Sequence, residues 1–149
     1  MNELLSSRLY DNNTFYRAFE KDLKGARYSV LIESPFITAR RMDHLLPLLR
    51  KLRLRNVRVV INTRSPEEHD GEYRRQAFTA VISMQELGVV VLCTGRHHRK
   101  LAIIDTEILW EGSLNILSQS DSCEIMRRIE SQQLAAEMVF FIGANQWLK

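Results

Sequence analysis

Only two cysteines occur in the 149 residues, Cys93 and Cys123, too few and too unpatterned for a disulfide framework. They read as two reduced thiols of a cytoplasmic protein. Neither has a His or Cys partner at zinc-ligand spacing, so no metal site is expected. No apolar run approaches the length of a membrane span. The opening segment, MNELLSSRLYDNN, lacks a basic stretch followed by an apolar one, so neither a secretory leader nor stable membrane association is expected. An internal repeat, a low-complexity tract, a Pro/Gly-rich linker and a glycine-rich phosphate loop are also missing. The chain is therefore read as one domain over residues 1–149, long enough to bury a core and needing no cofactor.

What is present is an uneven charge. The net charge is +3, but Arg40 to Lys100 holds 13 Lys/Arg against 6 Asp/Glu, a net of +7, and the remainder holds 8 against 12, a net of −4. Arg50, Lys51, Arg53 and Arg55 alone would be the solvated face of a helix. A basic half-chain beside phosphate chemistry points instead to a polyanionic partner, nucleic acid above all.

The hydrophobic pattern predicts alternating helices and strands. Asn12-Asn13-Thr14 offers caps for a helix with Phe15, Phe19 and Leu23 inward and Gly25 as its stop. Tyr28–Ile32 reads as a buried strand ended by Ser34-Pro35. A second helix, regular from about His44 with Pro47 in its first turn, carries Leu45, Leu49 and Leu52. Val57–Asn62 is a strand, Thr63–Asp70 a polar loop. Gly71–Leu87 is a helix with Ala77, Val81 and Met84 inward, and Val89–Leu92 a strand after Gly88. His98–Asp105 and Ile108–Gly112, joined by Thr106-Glu107, form an antiparallel hairpin. A loop from Ser118 to Ser122, a strand Glu124–Ile129 and a helix from about Ser131 to Trp147 follow, the last with Leu134, Met138, Phe141 and Ile142 inward. The expected fold is α/β, a mixed and largely parallel β-sheet sandwiched between helices.

Within the hairpin, six polar or glycine positions need a reason other than folding. His98, Lys100, Asp105, Gly112, Ser113 and Asn115 stand in the order H-x-K-x(4)-D-x(6)-G-S-x-N. Along a strand His98 and Lys100 share a face, whereas Asp105 faces the other side and is expected to support structure by pairing with backbone or a basic neighbour. Ser113 and Asn115 repeat the two-residue spacing. A neutral imidazole beside an ammonium can attack a phosphodiester, and Lys100, Ser113 and Asn115 can hold its non-bridging oxygens. Expulsion of the alkoxide needs an acid, a task suited to a second histidine. Arg96, His97 and Arg99 read as loop or rim cations.

This pattern resembles the HKD signature of the phospholipase D superfamily, here in a single copy. The resemblance is sharp over residues 98–115 and implies the phospholipase D-like fold for the rest. It implies a metal-independent phosphodiesterase, with His98, Lys100 and Asn115 catalytic and Asp105 and Gly112 supportive. In single-motif members two subunits bring their histidines together, one as nucleophile and one as acid, so a homodimer is implied. A downstream carboxylate that orients the histidine is implied too; Glu124 is the candidate and Asp121 its rival. Small bacterial nucleases of this superfamily are the nearest in kind. The alternatives are a weakly active or non-catalytic nucleic-acid-binding dimerisation module of a larger restriction or helicase-like system, and a phospholipid phosphodiesterase.

Overall fold

A computed structural model describes residues 6–118 and 121–148. Residues 1–5, the start of the segment read for a leader, and 119 and 120, within the expected Ser118–Ser122 loop, lie outside it. The expected mixed sheet between helices forms. Among the described residues there are seven strands: β1 (Ser6–Asp11), β2 (Ser29–Glu33), β3 (Arg58–Arg64), β4 (Val90–Thr94), β5 (Leu101–Ile104), β6 (Ile108–Gly112) and β7 (Ile125–Glu130). They lie in the order β1-β7-β6-β5-β2-β3-β4. The parallel share is confined to the β2–β3 and β3–β4 pairs; the hairpin inserts β5 antiparallel beside β2, and β6, β7 and β1 continue antiparallel.

The α-helices of the described residues are α1 (Phe15–Lys24), α2 (Ala39–Leu54), α3 (Gly71–Glu86) and α4 (Gln132–Phe141). Helices α1 to α3 cover one face, over a core containing Phe15, Phe19, Leu23, Leu45, Leu49, Met84 and Trp110. Helix α4 covers the other, over Leu31, Val60, Leu101, Ile103, Leu109 and Ile129. Successive residues of β5 thus divide between the two cores, Leu101 and Ile103 on one side, Ala102 and Ile104 on the other, as strand alternation requires.

Several local expectations are corrected. Strand β1 was not expected: SSRLYD lacks an alternating apolar pattern because it is a largely exposed edge strand. Thr14 stands at the N-cap of α1, but its hydroxyl makes no cap bond and donates to Asp11 Oδ1 at 3.1 Å. Helix α2 begins at Ala39, not near His44, because Thr38 caps it by accepting from the Arg41 backbone N–H at 3.4 Å. Pro47 consequently lies inside the helix, on its exposed side, where water can satisfy the carbonyl left without a donor. On α3 the buried stripe is Ala77, Ala80 and Met84, with Val81 half-buried. Helix α4 stops at Phe141, which is 85% exposed, and Gly143 at φ 71° turns the chain into a short 3-10 helix, Ala144–Gln146. His98 and Lys100 precede β5 in a segment without regular secondary structure rather than lying in the strand.

Candidate active site at one end of the sheet

Strand register collects the relevant segments at one end. Glu33 at the end of β2 pairs with Leu101 at the start of β5, Leu101 pairs with Glu111, and Gly112 pairs with Met126 near the start of β7. The segment carrying His98 and Lys100, the turn after β6 and the approach to β7 therefore meet there. Gly112 permits this closeness: a Cβ on it would lie 2.1 Å from the Ile125 carbonyl oxygen and 2.9 Å from Met126 Cα. Ser113 locks the same junction, its hydroxyl accepting from the Ile125 N–H at 3.0 Å and donating to the Ile125 carbonyl at 3.4 Å.

His98 is exposed, and Lys100 reaches it from two residues away. The ammonium Nζ is 3.1 Å from His98 Nδ1 and donates to the His98 carbonyl at 2.9 Å. Partial burial pulls the Lys100 pKa below its ordinary value, opposed by the negative charge of Glu124. Glu124 also opposes ionisation of Tyr16 on α1, whose pKa is raised chiefly by burial. Lys100 precedes Ala102 by two residues and Glu124 precedes Met126 by two, and Ala102 and Met126 both pack in the core under α1. Glu124 is not hydrogen-bonded to His98; its Oε1 accepts from the Ser122 hydroxyl at 3.0 Å. Asp121, its rival, is exposed. Asn115 is half-buried, and among the described residues its buried Oδ1 has no hydrogen-bond partner.

Asp105 sits at the far end of β5, in a turn where it and Thr106 have φ of 56° and 51°. Its carboxylate accepts backbone N–H bonds from Arg27, Tyr28 and Ser29 at 2.6–3.1 Å, tying the hairpin to the start of β2. With about 3.3 Å of rise per strand residue, that is on the order of 15 Å from Lys100.

His97 and Arg99 lie in the loop before β5, as expected, but both are turned to Glu33, His97 buried and the Arg99 side chain 47% exposed. His97 is 4% exposed, with Nε2 3.5 Å from Glu33 Oε1. Arg99 reaches the same carboxylate, Nε to Oε1 at 2.6 Å and Nη2 to Oε2 at 3.2 Å. Asn62 donates to Glu33 Oε2 at 2.9 Å and accepts from Thr94 at 2.7 Å. Glu33 and Asn62 were missed from the sequence; the signal was a polar residue closing each of two apolar strands. A second missed group is Arg41, buried, 3.8 Å above the Tyr16 ring and 3.1 Å from Glu20 Oε1. In the basic half, Arg53 and Arg55 cap backbone carbonyls, whereas Arg40, Arg50, Lys51, Arg74 and Arg75 are exposed. Among the described residues no cluster of His, Cys, Asp and Glu is suited to a metal ion, and no helix is long and apolar enough to cross a membrane.

Against known proteins, the family model described as "Cardiolipin synthase, PLD-like domain" matches residues 19–141. The chain is similar in structure to Nuc, a phospholipase D family member from Salmonella typhimurium, with a TM-score of 0.78 and 16% identity over 97% of this chain and 96% of that one. It is similar to NucT from Helicobacter pylori, with a TM-score of 0.73 and 15% identity over 93% of each. The archaeal chromatin protein TrmBL2, described as showing a novel mode of DNA binding, has a TM-score of 0.66 and 13% identity over 95% of this chain and 52% of its own. No curated protein matches the sequence.

Proposed function

This chain belongs to the cardiolipin synthase, PLD-like domain family, and from that membership we propose that it is a metal-independent phosphodiesterase cleaving nucleic acid through a phosphohistidine at His98. The observation that carries the reading is the His98–Lys100 pair, an accessible imidazole with an ammonium 3.1 Å from its Nδ1. A phosphodiester repels nucleophiles because its oxygens carry charge. Lys100 supplies a cation beside the attacking ring, and Asn115 a polar side chain at the same end of the sheet. Attack by His98 forms the P–N bond and expels one alkoxide, and water then displaces the histidine. The expelled oxygen needs a proton. One chain supplies one motif histidine, so the acid is His98 of a second copy, in a site shared across a homodimer. Glu124, already close enough to act on Lys100, is the carboxylate available to orient the ring once the pocket is assembled.

Nucleic acid is favoured as substrate by the net +7 between Arg40 and Lys100, with several of those cations exposed. The likeness to a DNA-binding chromatin protein supports a second reading, a binding module without turnover. One assay separates them: purified protein incubated with single- and double-stranded DNA and RNA in EDTA. The expected result is cleavage at an undiminished rate. Loss of cleavage on chelation, restored by a divalent ion, overturns the proposed chemistry; binding without cleavage supports the second reading.

A further inference from the structure

Glu33 is a carboxylate 2% exposed at the end of a fully buried strand. Such a group is costly unless its charge is met, and here it is met from several elements. Arg99 brackets both its oxygens, His97 lies against Oε1, and Asn62 from β3 donates to Oε2. Thr94 at the end of β4 then bonds Asn62. Burial acts to raise the Glu33 pKa, and the His97 ring and Arg99 guanidinium beside it more than offset that, holding the carboxyl below its ordinary value.

Where this cluster lies is the informative point. Glu33 is two residues beyond Leu31, Asn62 two beyond Val60, and Arg99 two before Leu101, and those three apolar residues all face α4. Glu33, Asn62, Thr94 and Arg99 border an open cleft of about 470 Å³ on that side, lined also by Gln146 and Trp147. Lys100, in step with Ala102 and Ile104, falls on the α1 side, where Glu124 acts on both it and Tyr16. The four residues 97–100 thus alternate, two gripped from one side and two presented on the other.

We infer that Glu33 is a positioning residue: by gripping Arg99 and His97 on the α4 side, it sets where His98 and Lys100 stand on the α1 side. The inference rests on the reading of His98 and Lys100 as the reacting pair. It gives the pair of the buried Glu33 carboxylate and the half-exposed Arg99 guanidinium a role in catalysis without contact with substrate. A displacement near 1 Å at a reacting group is enough to cost about 10²-fold in rate.

The test compares the full chain with Glu33→Gln, Arg99→Gln and the double variant. Readouts are kcat and KM for bis(p-nitrophenyl) phosphate, the melting temperature, and the His98 ring resonances by NMR, assigned through their loss in His98→Ala. Glu33→Gln should lower kcat by about 10- to 100-fold with KM within about twofold, and should shift or broaden the His98 signals. Arg99→Gln leaves the buried Glu33 carboxylate without its cation and the double variant removes that charge, so the double variant should melt above Arg99→Gln while kcat and the His98 signals do not recover. Should Glu33→Gln alone fail to fold, the double variant carries the test. Recovery of kcat together with stability, or unmoved His98 signals in Glu33→Gln, overturns the inference. If the wild type hydrolyses no diester, displaced His98 signals still uphold the positioning role while the functional reading falls.

Discussion

Replacing His98 by alanine should abolish diester cleavage and leave the fold untouched. The ring is exposed, and its polar contacts are with Lys100 alone among the described residues, so no buried partner is orphaned by its removal. A melting temperature close to that of the wild type is therefore expected. The activity loss is larger than for an ordinary acid or base. Removing a positioned proton donor costs about 10²–10⁴-fold, and here the same substitution also removes the nucleophile from the partner site. Initial rates on DNA and RNA should fall below detection. A cleanly folded His98→Ala protein that cleaves like the wild type would remove the site from consideration.

Gly112→Ala should be the most damaging conservative change at the site, and its effect should appear first in stability. The added Cβ would meet backbone atoms, the Ile125 carbonyl oxygen at 2.1 Å and Met126 Cα at 2.9 Å. No side-chain rotation relieves that contact; β6 and β7 must separate, which also breaks the paired bonds between Ser113 and Ile125. Overpacking of this kind costs about 3 kcal/mol or more. Gly25→Ala is the internal control. The corresponding Cβ would make only ordinary contacts at 3.6 and 3.8 Å, on a backbone with φ −87°, so its effect should stay within about 1 kcal/mol. Urea unfolding followed by circular dichroism separates the two. Equal stability of both variants would refute the tight β6–β7 junction.

Parts of this architecture are legible because local physics decides them. Phe15, Phe19 and Leu23 repeat at helical spacing and are wholly buried, and the short connection, three residues from Asp105 to Glu107 rather than the two expected, leaves β5 and β6 no arrangement but a hairpin. The spacing of His98 and Lys100 likewise anticipates their meeting, since residues two apart in an extended chain share a side. Other features depend on partners distant in sequence. Strand β1 holds its place through the register of β7, more than a hundred residues away, with little apolar pattern of its own. Pro47 reads as a helix start by propensity, but the cap at Thr38 and the buried Met42, Leu45 and Leu49 carry α2 through it. His97 and Arg99 are loop residues, as their sequence suggests, but their shared partner Glu33 comes within reach only because β5 lies against β2. Sequence order cannot show that neighbour, because the hairpin joins the sheet beside the second strand rather than after the fourth.

The covalent intermediate at His98 is the core of the functional account, and the stereochemical course at phosphorus tests it most directly. A dinucleotide with a chiral phosphorothioate linkage, hydrolysed in EDTA in isotopically labelled water, records each displacement as one inversion. Two successive in-line displacements, first by His98 and then by water, predict overall retention of configuration. Overall inversion, the mark of direct attack by water, would contradict the account.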